Sequence, residues 1–341
     1  MPRPSFFHHL HPVKIPQKQA RFTYTFGTGG LAVFLSIILG ISGILEMFYY
    51  VPTPDQAALS VQTITYLVPL GGFIRNLHFW SGQLLLIITG LHFLRVIFTG
   101  AYTSPRRLNY LIGAGLFILA LLLDFSGYVL RWDVDIQWAL ITGTNLIKTI
   151  PVVGESFYGF VVGEAQPGSI TLIRFYAWHT YGLVSFAAIF LIWHIFRVRR
   201  DGGIASSKSQ ANRKPARISR FDLVDREVLA MLYGGVILTA IAALLPAPIG
   251  PPLTGISLNL GQEQAPWFFL WIQELLRFGD PFLFGVVIPL VLLGLLTAIP
   301  YIFPKLDPRE IGSWFPTSGR FAQGIVVLII MIIIIFTIRA L

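Results

Sequence analysis

Residues 75–95 read RNLHFWSGQLLLIITGLHFLR, and residues 171–194 read TLIRFYAWHTYGLVSFAAIFLIWH. Each is an apolar run with two histidines: His78 and His92 in the first, His179 and His194 in the second. At about 100° per residue, the 14-residue step from His78 to His92 returns to within roughly 40° of the starting face. The 15-residue step from His179 to His194 returns to within roughly 60°. Each helix then shows two imidazoles on one side, about 21–23 Å apart along its axis. A lone intramembrane His reads equally well as an interhelical hydrogen bond; four in this pattern point elsewhere. If these two spans, the second and fourth of the chain, are neighbours, they run the same way. His78 then faces His179 near one surface, and His92 faces His194 near the other. Two neutral nitrogen donors across a gap suit a bis-His haem iron. Structural zinc would want four ligands together. Two haems stacked through a membrane serve to move electrons across it.

The composition around these runs agrees with a membrane. Of 341 residues, 55% are hydrophobic and 12% charged, where a soluble domain carries about a quarter charged. Soluble globular, disordered and disulfide-framework classes are excluded. The absence of Cys removes thiolate chemistry, Cys-ligated iron–sulfur clusters and haem attached through a thioether. Seven stretches are long enough to span, at 28–51, 78–99, 110–130, 175–197, 228–246, 282–303 and 321–340. The expected fold is an all-α polytopic protein of about seven transmembrane helices. Residues 1–25 lack the apolar centre of a signal peptide and read as an interfacial segment. Its His8, His9 and His11 read as a solvated face, with metal binding as the alternative.

Charge placement sets an orientation. Arg3, Lys14, Lys18, Arg21, Arg106, Arg107, the run from Arg197 to Arg226, and Lys305, Arg309 and Arg320 fall on one side. Arg75, Arg131, Lys148, Arg174, Arg277 and Arg339 fall on the other. The positive-inside rule then predicts a cytoplasmic N-terminus and an external C-terminus. The net charge of +9 is thereby explained by topology, and nucleic acid is not an expected partner; membrane lipid is. Residues 201–227 read as a cytoplasmic linker between 26–200 and 228–341. The outer loops 131–174 and 247–281 are rich in aromatic residues, Gly and Pro, and suggest short helices roofing a pocket.

Three further features bear on a site. Gly29 and Gly43 are 14 apart, as are Gly113 and Gly127, and would clear room for planar cofactors; close helix packing is the other reading. Arg75 and Arg95 flank His78 and His92 at three residues and would pair with haem propionates or snorkel to the interface. Asp124, in an apolar span, is costly in lipid and functional by default.

The paired-His runs, with SGYVLRW (126–132), TNLIKTIPVVG (144–154) and APWFFLWIQELLR (265–277), resemble the cytochrome b subunit of bacterial bc-type quinol:cytochrome c oxidoreductases. The 15-residue His spacing and the three spans after the linker are similar to the plastid-type branch, here with both halves in one chain. The resemblance implies a four-helix bundle of spans one to four, holding two non-covalent haems b, followed by a three-helix module. His78 and His179 would hold an outer haem, and His92 and His194 an inner one. It implies a multi-pass protein of the bacterial cytoplasmic membrane, a homodimer working with a Rieske iron–sulfur subunit and a cytochrome c or equivalent acceptor. Quinol would be oxidised outside and quinone reduced near the cytoplasmic face, with proton translocation. Trp267 and Phe268 would line the outer quinone site; Arg199, with Arg200, would bind a quinone oxygen or a propionate at the inner one, or belong simply to the positive-inside cluster.

The sequence also departs from that pattern. Ala265-Pro266-Trp267-Phe268 stands where the family has Pro-Glu-Trp-Tyr, so the proton-accepting Glu is missing. Glu274, Glu263, Asp133, Asp135 and the neighbouring Tyr128 are the candidates to serve there, Glu274 being also readable as an ordinary surface acid. Leu130-Arg131-Trp132 replaces the family's Leu-Pro-Trp. A covalent extra haem is impossible without Cys. The competing readings are a di-haem anchor for another quinone-linked oxidoreductase, and a transporter using His as a proton relay.

Overall fold

A computed structural model describes residues 14–18, 20–205, 216–253 and 264–341. His8, His9, His11 and Glu263 lie outside them. Among the described residues, seven helices are long and apolar enough to cross a membrane. They are α1 (Thr28–Met47), α3 (Gly71–Phe98), α4 (Arg107–Leu130), α7 (Ser169–Arg200), α8 (Arg220–Leu244), α10 (Leu283–Ile302) and α11 (Arg320–Ala340). Short helices lie between them: α2 (Ala57–Tyr66), α5 (Gln137–Lys148), α6 (Gly154–Val161) and α9 (Leu270–Leu275). The aromatic loops are therefore helical, as their composition suggests. Helix α2 is an addition to the sequence reading, and α8 starts at Arg220, inside the stretch read as linker.

Helices α1, α3, α4 and α7 form the bundle. α1 packs along α3, α3 along α4 and α4 along α7, while the backbones of α3 and α7 stay apart. The C-terminal spans are laid against this bundle: α8 on α1 and α3, α10 on α4, and α11 on α3 and α9. Between lipid-facing spans there is no hydrophobic drive, so contact there rests on packing and small residues. At the two ends, where water competes, apolar burial does act. The end carrying His78 is closed by Val129, Trp132, Ile136, Leu140, Leu172 and Leu253. The end carrying His92 is closed by Ile97, Tyr102, Tyr110, Ile299, Leu306 and Val326. Outward faces such as Phe186, Ile189 and Ile192 stay exposed, as lipid-facing side chains at helical spacing should.

At the His92 end the chain ties itself together. Strand β1 (Lys14–Pro16) pairs antiparallel with β2 (Arg217–Ser219), so the segment before the first span meets the end of the linker. Ser219 then caps α8, its hydroxyl accepting from Phe221 N at 3.2 Å.

Candidate functional site

The gap between α3 and α7 is bridged by imidazoles at two depths. His78 and His179 have ring centroids 6.3 Å apart, and His92 and His194 6.5 Å. A metal–imidazole nitrogen bond is about 2 Å, and a nitrogen lies about 1.1 Å from its ring centre. Two imidazoles trans to one iron therefore place their centroids a little over 6 Å apart, which both pairs satisfy. Among the described residues no cluster of three or more His, Asp or Glu offers a metal a fuller set of protein ligands. Two imidazoles per depth would suit a metal that brings its remaining donors with it, as a haem does.

The outer faces of the rings are fixed by α1 and α4. Ser42 Oγ donates to Ile38 O at 2.7 Å and lies 2.9 Å from His78 Nδ1. Ser126 Oγ donates to Leu123 O and lies 3.0 Å from His179 Nδ1. Thr28 Oγ1 donates to Thr25 O and lies 3.2 Å from His92 Nδ1. A hydroxyl has one hydrogen; each is spent on a carbonyl, so each oxygen accepts from the imidazole. The proton then sits on Nδ1, and Nε2 keeps a free lone pair toward the gap. His194 faces the backbone of Asn109 in place of a hydroxyl. Sequence reasoning missed Thr28, Ser42 and Ser126, whose hydroxyls meet these rings. The signal was present, since each precedes one of the singled-out glycines.

Those glycines contact the imidazoles themselves. A Cβ on Gly29, Gly43, Gly113 or Gly127 would come 3.4, 3.0, 3.1 or 2.8 Å from Cε1 of His92, His78, His194 or His179 respectively. Each glycine thus meets one ring: Gly43 and Gly29 those of α3, Gly127 and Gly113 those of α7.

The expected propionate partners have partners in the chain. Arg75 is buried and donates to Ala247 O at 3.2 Å and Pro248 O at 2.5 Å. Glu46 of α1 lies within its electrostatic reach. Asn76 and Trp80 join in, donating to Ala242 O and Leu245 O, so this turn of α3 holds the end of α8. These bonds use two of the guanidinium's five donors. Arg95 lies over the Tyr24 ring at 5.5 Å.

The candidates for the missing base are mostly committed elsewhere. Glu274 is 2% exposed and ion-paired to Arg277 at 3.0 Å and Arg339 at 3.2 Å. It is no surface acid; it fastens α9 to the end of α11. Asp133 is paired with Arg131 at 2.5 Å and accepts from Gly250 N at 2.9 Å. Together with the Asp133–Pro252 bridge, it staples the loop after α8 to the end of α4. Tyr128 donates to Asp135 O at 2.6 Å, and Asp135 pairs with Arg131 at 2.9 Å. Arg199 is exposed at the C-terminal turn of α7. Trp267 and Phe268 do come against the bundle. Phe268 packs with Leu86 and Ala120, and the Trp267 indole donates to Gln83 Oε1 at 2.7 Å. Gln83 Nε2 in turn donates to Asp124 Oδ1 and Oδ2 at 3.0 and 3.2 Å.

A membrane-spanning bundle with two stacked pairs of facing imidazoles defines a transmembrane electron carrier of the b-cytochrome class. The family described as cytochrome b (N-terminal)/b6/petB matches residues 83–252. Cytochrome b6 of Heliomicrobium gestii is 40% identical over 177 residues, 52% of this chain and 83% of that protein. The menaquinol:cytochrome c reductase cytochrome b subunit of Geobacillus thermodenitrificans is 34% identical over 182 residues, 53% of this chain and 80% of that one. A chain of a solved hyperthermophilic respiratory Complex III superposes with a TM-score of 0.80 at 19% identity. That superposition covers 98% of this chain and 94% of the other, and it speaks for the fold. The chain belongs to the cytochrome b/b6 family; it is a multi-pass haem b protein of a membrane redox complex.

Proposed function

We propose that the chain is the cytochrome b subunit of a quinol:cytochrome c oxidoreductase that holds two haems b without covalent attachment. His78 and His179 hold one, His92 and His194 the other. The carrying observation is the pair of centroid separations, 6.3 and 6.5 Å, with Nδ1 blocked on the three rings that meet a hydroxyl. The irons supply one-electron carriers at two depths of the membrane. The chain's own part is to hold each imidazole in one tautomer and to space the two pairs along α3 and α7. Glycine positions let α1 and α4 close over the rings, and donors on Arg75 and Arg95 are available to carboxylates at the macrocycle edge.

The distribution of basic residues supports a cytoplasmic N-terminus, with the His78 end facing outward. Quinol is oxidised there, against Trp267 and Phe268, and its protons leave on that side. Quinone is reduced at the His92 end, where Arg199 offers a donor, and protons are taken up from the cytoplasm. A Rieske iron–sulfur subunit and a cytochrome c-type acceptor complete the complex, and a homodimer is the expected assembly in a bacterial cytoplasmic membrane.

The test is haem content and reduced-minus-oxidised difference spectra of the purified complex carrying His179→Ala or His92→Ala. Each variant is expected to lose one haem and keep the other, and the parent to be reduced by quinol. Two haems in either variant would refute the ligand assignment. Quinol reduction indifferent to the Rieske subunit would favour a di-haem anchor.

A further inference from the structure

The segment 265–268 carries no group able to accept a proton, yet oxidising a quinol releases two of them. Of the candidate acids among the described residues, Glu274 is engaged by two arginines, and Asp133 and Asp135 by Arg131. Asp124 differs. It sits in the apolar body of α4, and its recorded partner is the uncharged amide of Gln83; among the described residues no cation pairs with it. An indole only donates, so Trp267 fixes the Gln83 oxygen toward the loop and turns the amide NH2 toward the carboxylate. Asp124 is thus two hydrogen bonds from the outer-loop motif. Close by in the fold, Leu86, Ala120, Phe268 and Phe269 form an apolar cluster where the loop meets the bundle, and Phe125, next to Asp124 in the chain, packs edge-on against Phe269. Beside the carboxylate, residue 82 is glycine, and a Cβ there would stand 2.9 Å from Asp124 Oδ1. A bare carboxylate in such a place is costly unless it is used. With neutral donors only, it can take a proton without breaking an ion pair.

We propose that Asp124 is the base that receives the quinol proton at the His78 end, in the role the outer loop's missing Glu would have had. In the step, a quinol O–H bond breaks and an Asp124 Oδ–H bond forms. The bonding pair stays on the quinol oxygen, whose anion is the form that a one-electron iron–sulfur acceptor oxidises. Gln83 and Trp267 are positioning residues, holding the carboxylate toward the loop. The proposal rests on the quinol-oxidising reading above.

The experiment uses the complex containing the full chain, with Asp124→Asn and Asp124→Glu, menadiol as the quinol, and pH varied across the neutral range. Asp124→Asn should keep both haems in the dithionite-reduced spectrum while quinol oxidation slows about 100-fold or more. Asp124→Glu should restore most of the rate with a displaced acid limb in its pH profile. Infrared difference spectra of the parent, menadiol-reduced minus oxidised, should show a carboxylic C=O band that shifts in D2O and is missing in Asp124→Asn. A rate in Asp124→Asn within about threefold of the parent, with the same pH profile, would overturn the proposal. So would equal slowing in Asn and Glu variants, or no carboxyl band in the parent, a readout that needs no variant to fold. If the parent, with both haems in place, is not reduced by menadiol, the quinol reading itself fails, which is a separate result.

Discussion

Adding one methyl group at Gly127 would place a carbon 2.8 Å from His179 Cε1; the same change at Gly29 would place it 3.4 Å from His92 Cε1. Carbon–carbon contacts settle at about 3.5–4.0 Å. The His179 ring must therefore retreat by roughly 0.7 Å and the His92 ring by about 0.1 Å. Retreat is opposed on one side by the Ser126 bond at 3.0 Å and on the other by His78, its centroid 6.3 Å away. Metal–ligand distances tolerate only about 0.2 Å, so Gly127→Ala exceeds the margin and Gly29→Ala stays inside it. Overpacking of this kind costs about 1–3 kcal/mol, which is roughly 5- to 150-fold in haem occupancy. Gly43 and Gly113, at 3.0 and 3.1 Å, should fall between. The assay is haem per chain with the difference spectrum of each haem, across all four Gly→Ala variants. Expected losses follow the order 127, 43, 113, 29, with positions 127 and 43 striking the His78–His179 haem. Equal retention at 127 and 29, or loss of the wrong haem, would refute the view that these glycines exist to support the rings.

Ser42→Ala and Ser126→Ala remove the acceptor for a ligand's Nδ1–H, and such changes weaken metal binding about 10- to 100-fold. A raised midpoint potential of the His78–His179 haem should accompany this, whereas Ile112→Ala, beside the glycine that has no hydroxyl partner, should leave its haem potential near the parent's. Glu274→Gln should lower thermal stability while quinol oxidation persists, because its carboxylate fastens α9 to α11; the arginines are more than half exposed, so the cost is about 1 kcal/mol. Asp133→Asn removes one of the two carboxylates on Arg131, with Asp135 at 2.9 Å remaining, and should cost about 1–2 kcal/mol. Limited proteolysis should then cut near residues 247–253, with both haems retained.

The spans were legible because hydropathy over some 20 residues is what a bilayer selects. Their ends were not. Helix α8 runs on to Arg220 through FDLVDRE, a polar turn held by a Ser219 cap that an apolar window cannot register. Helix α2, AALSVQTITY, is short and of mixed polarity, and its burial depends on Ala57, Ala58 and Ile64 meeting neighbours. The facing of the four histidines in two pairs was legible from spacing alone, and the Thr-Gly and Ser-Gly pairs beside the rings would have been too. The Asp124–Gln83–Trp267 chain was not: its links join residues 41 and 184 positions apart, and only tertiary packing brings them together. For the same reason Glu274 and Asp133 looked available in sequence: besides the local Arg277 and Arg131, Arg339 and the Gly250 amide that hold them come from α11 and the loop after α8.

The unequal His spacings, 14 in α3 and 15 in α7, pose a geometric problem that the structure answers. At about 100° per residue, one extra residue in a straight α-helix would turn His194 by 100° relative to His92. The pairs would then fail to meet at one depth, yet both centroid separations are alike. Residues Trp178–Gly182 of α7 form a π-helical turn containing His179. A π turn holds one residue more than an α turn, so it absorbs the fifteenth and restores the phase. Deleting Thr180, whose hydroxyl donates to Tyr176 O within its own helix, should relax this turn to α geometry, give a 14-residue spacing and retain both haems. Deleting Thr89 from α3, where no extra residue exists to give up, leaves 13 and swings His92 about 100° off its partner; that variant should lose one haem. Difference spectra and haem per chain decide it. Loss of a haem on deleting Thr180, or retention of both on deleting Thr89, would mean that the π turn is not what sets the register of the two pairs.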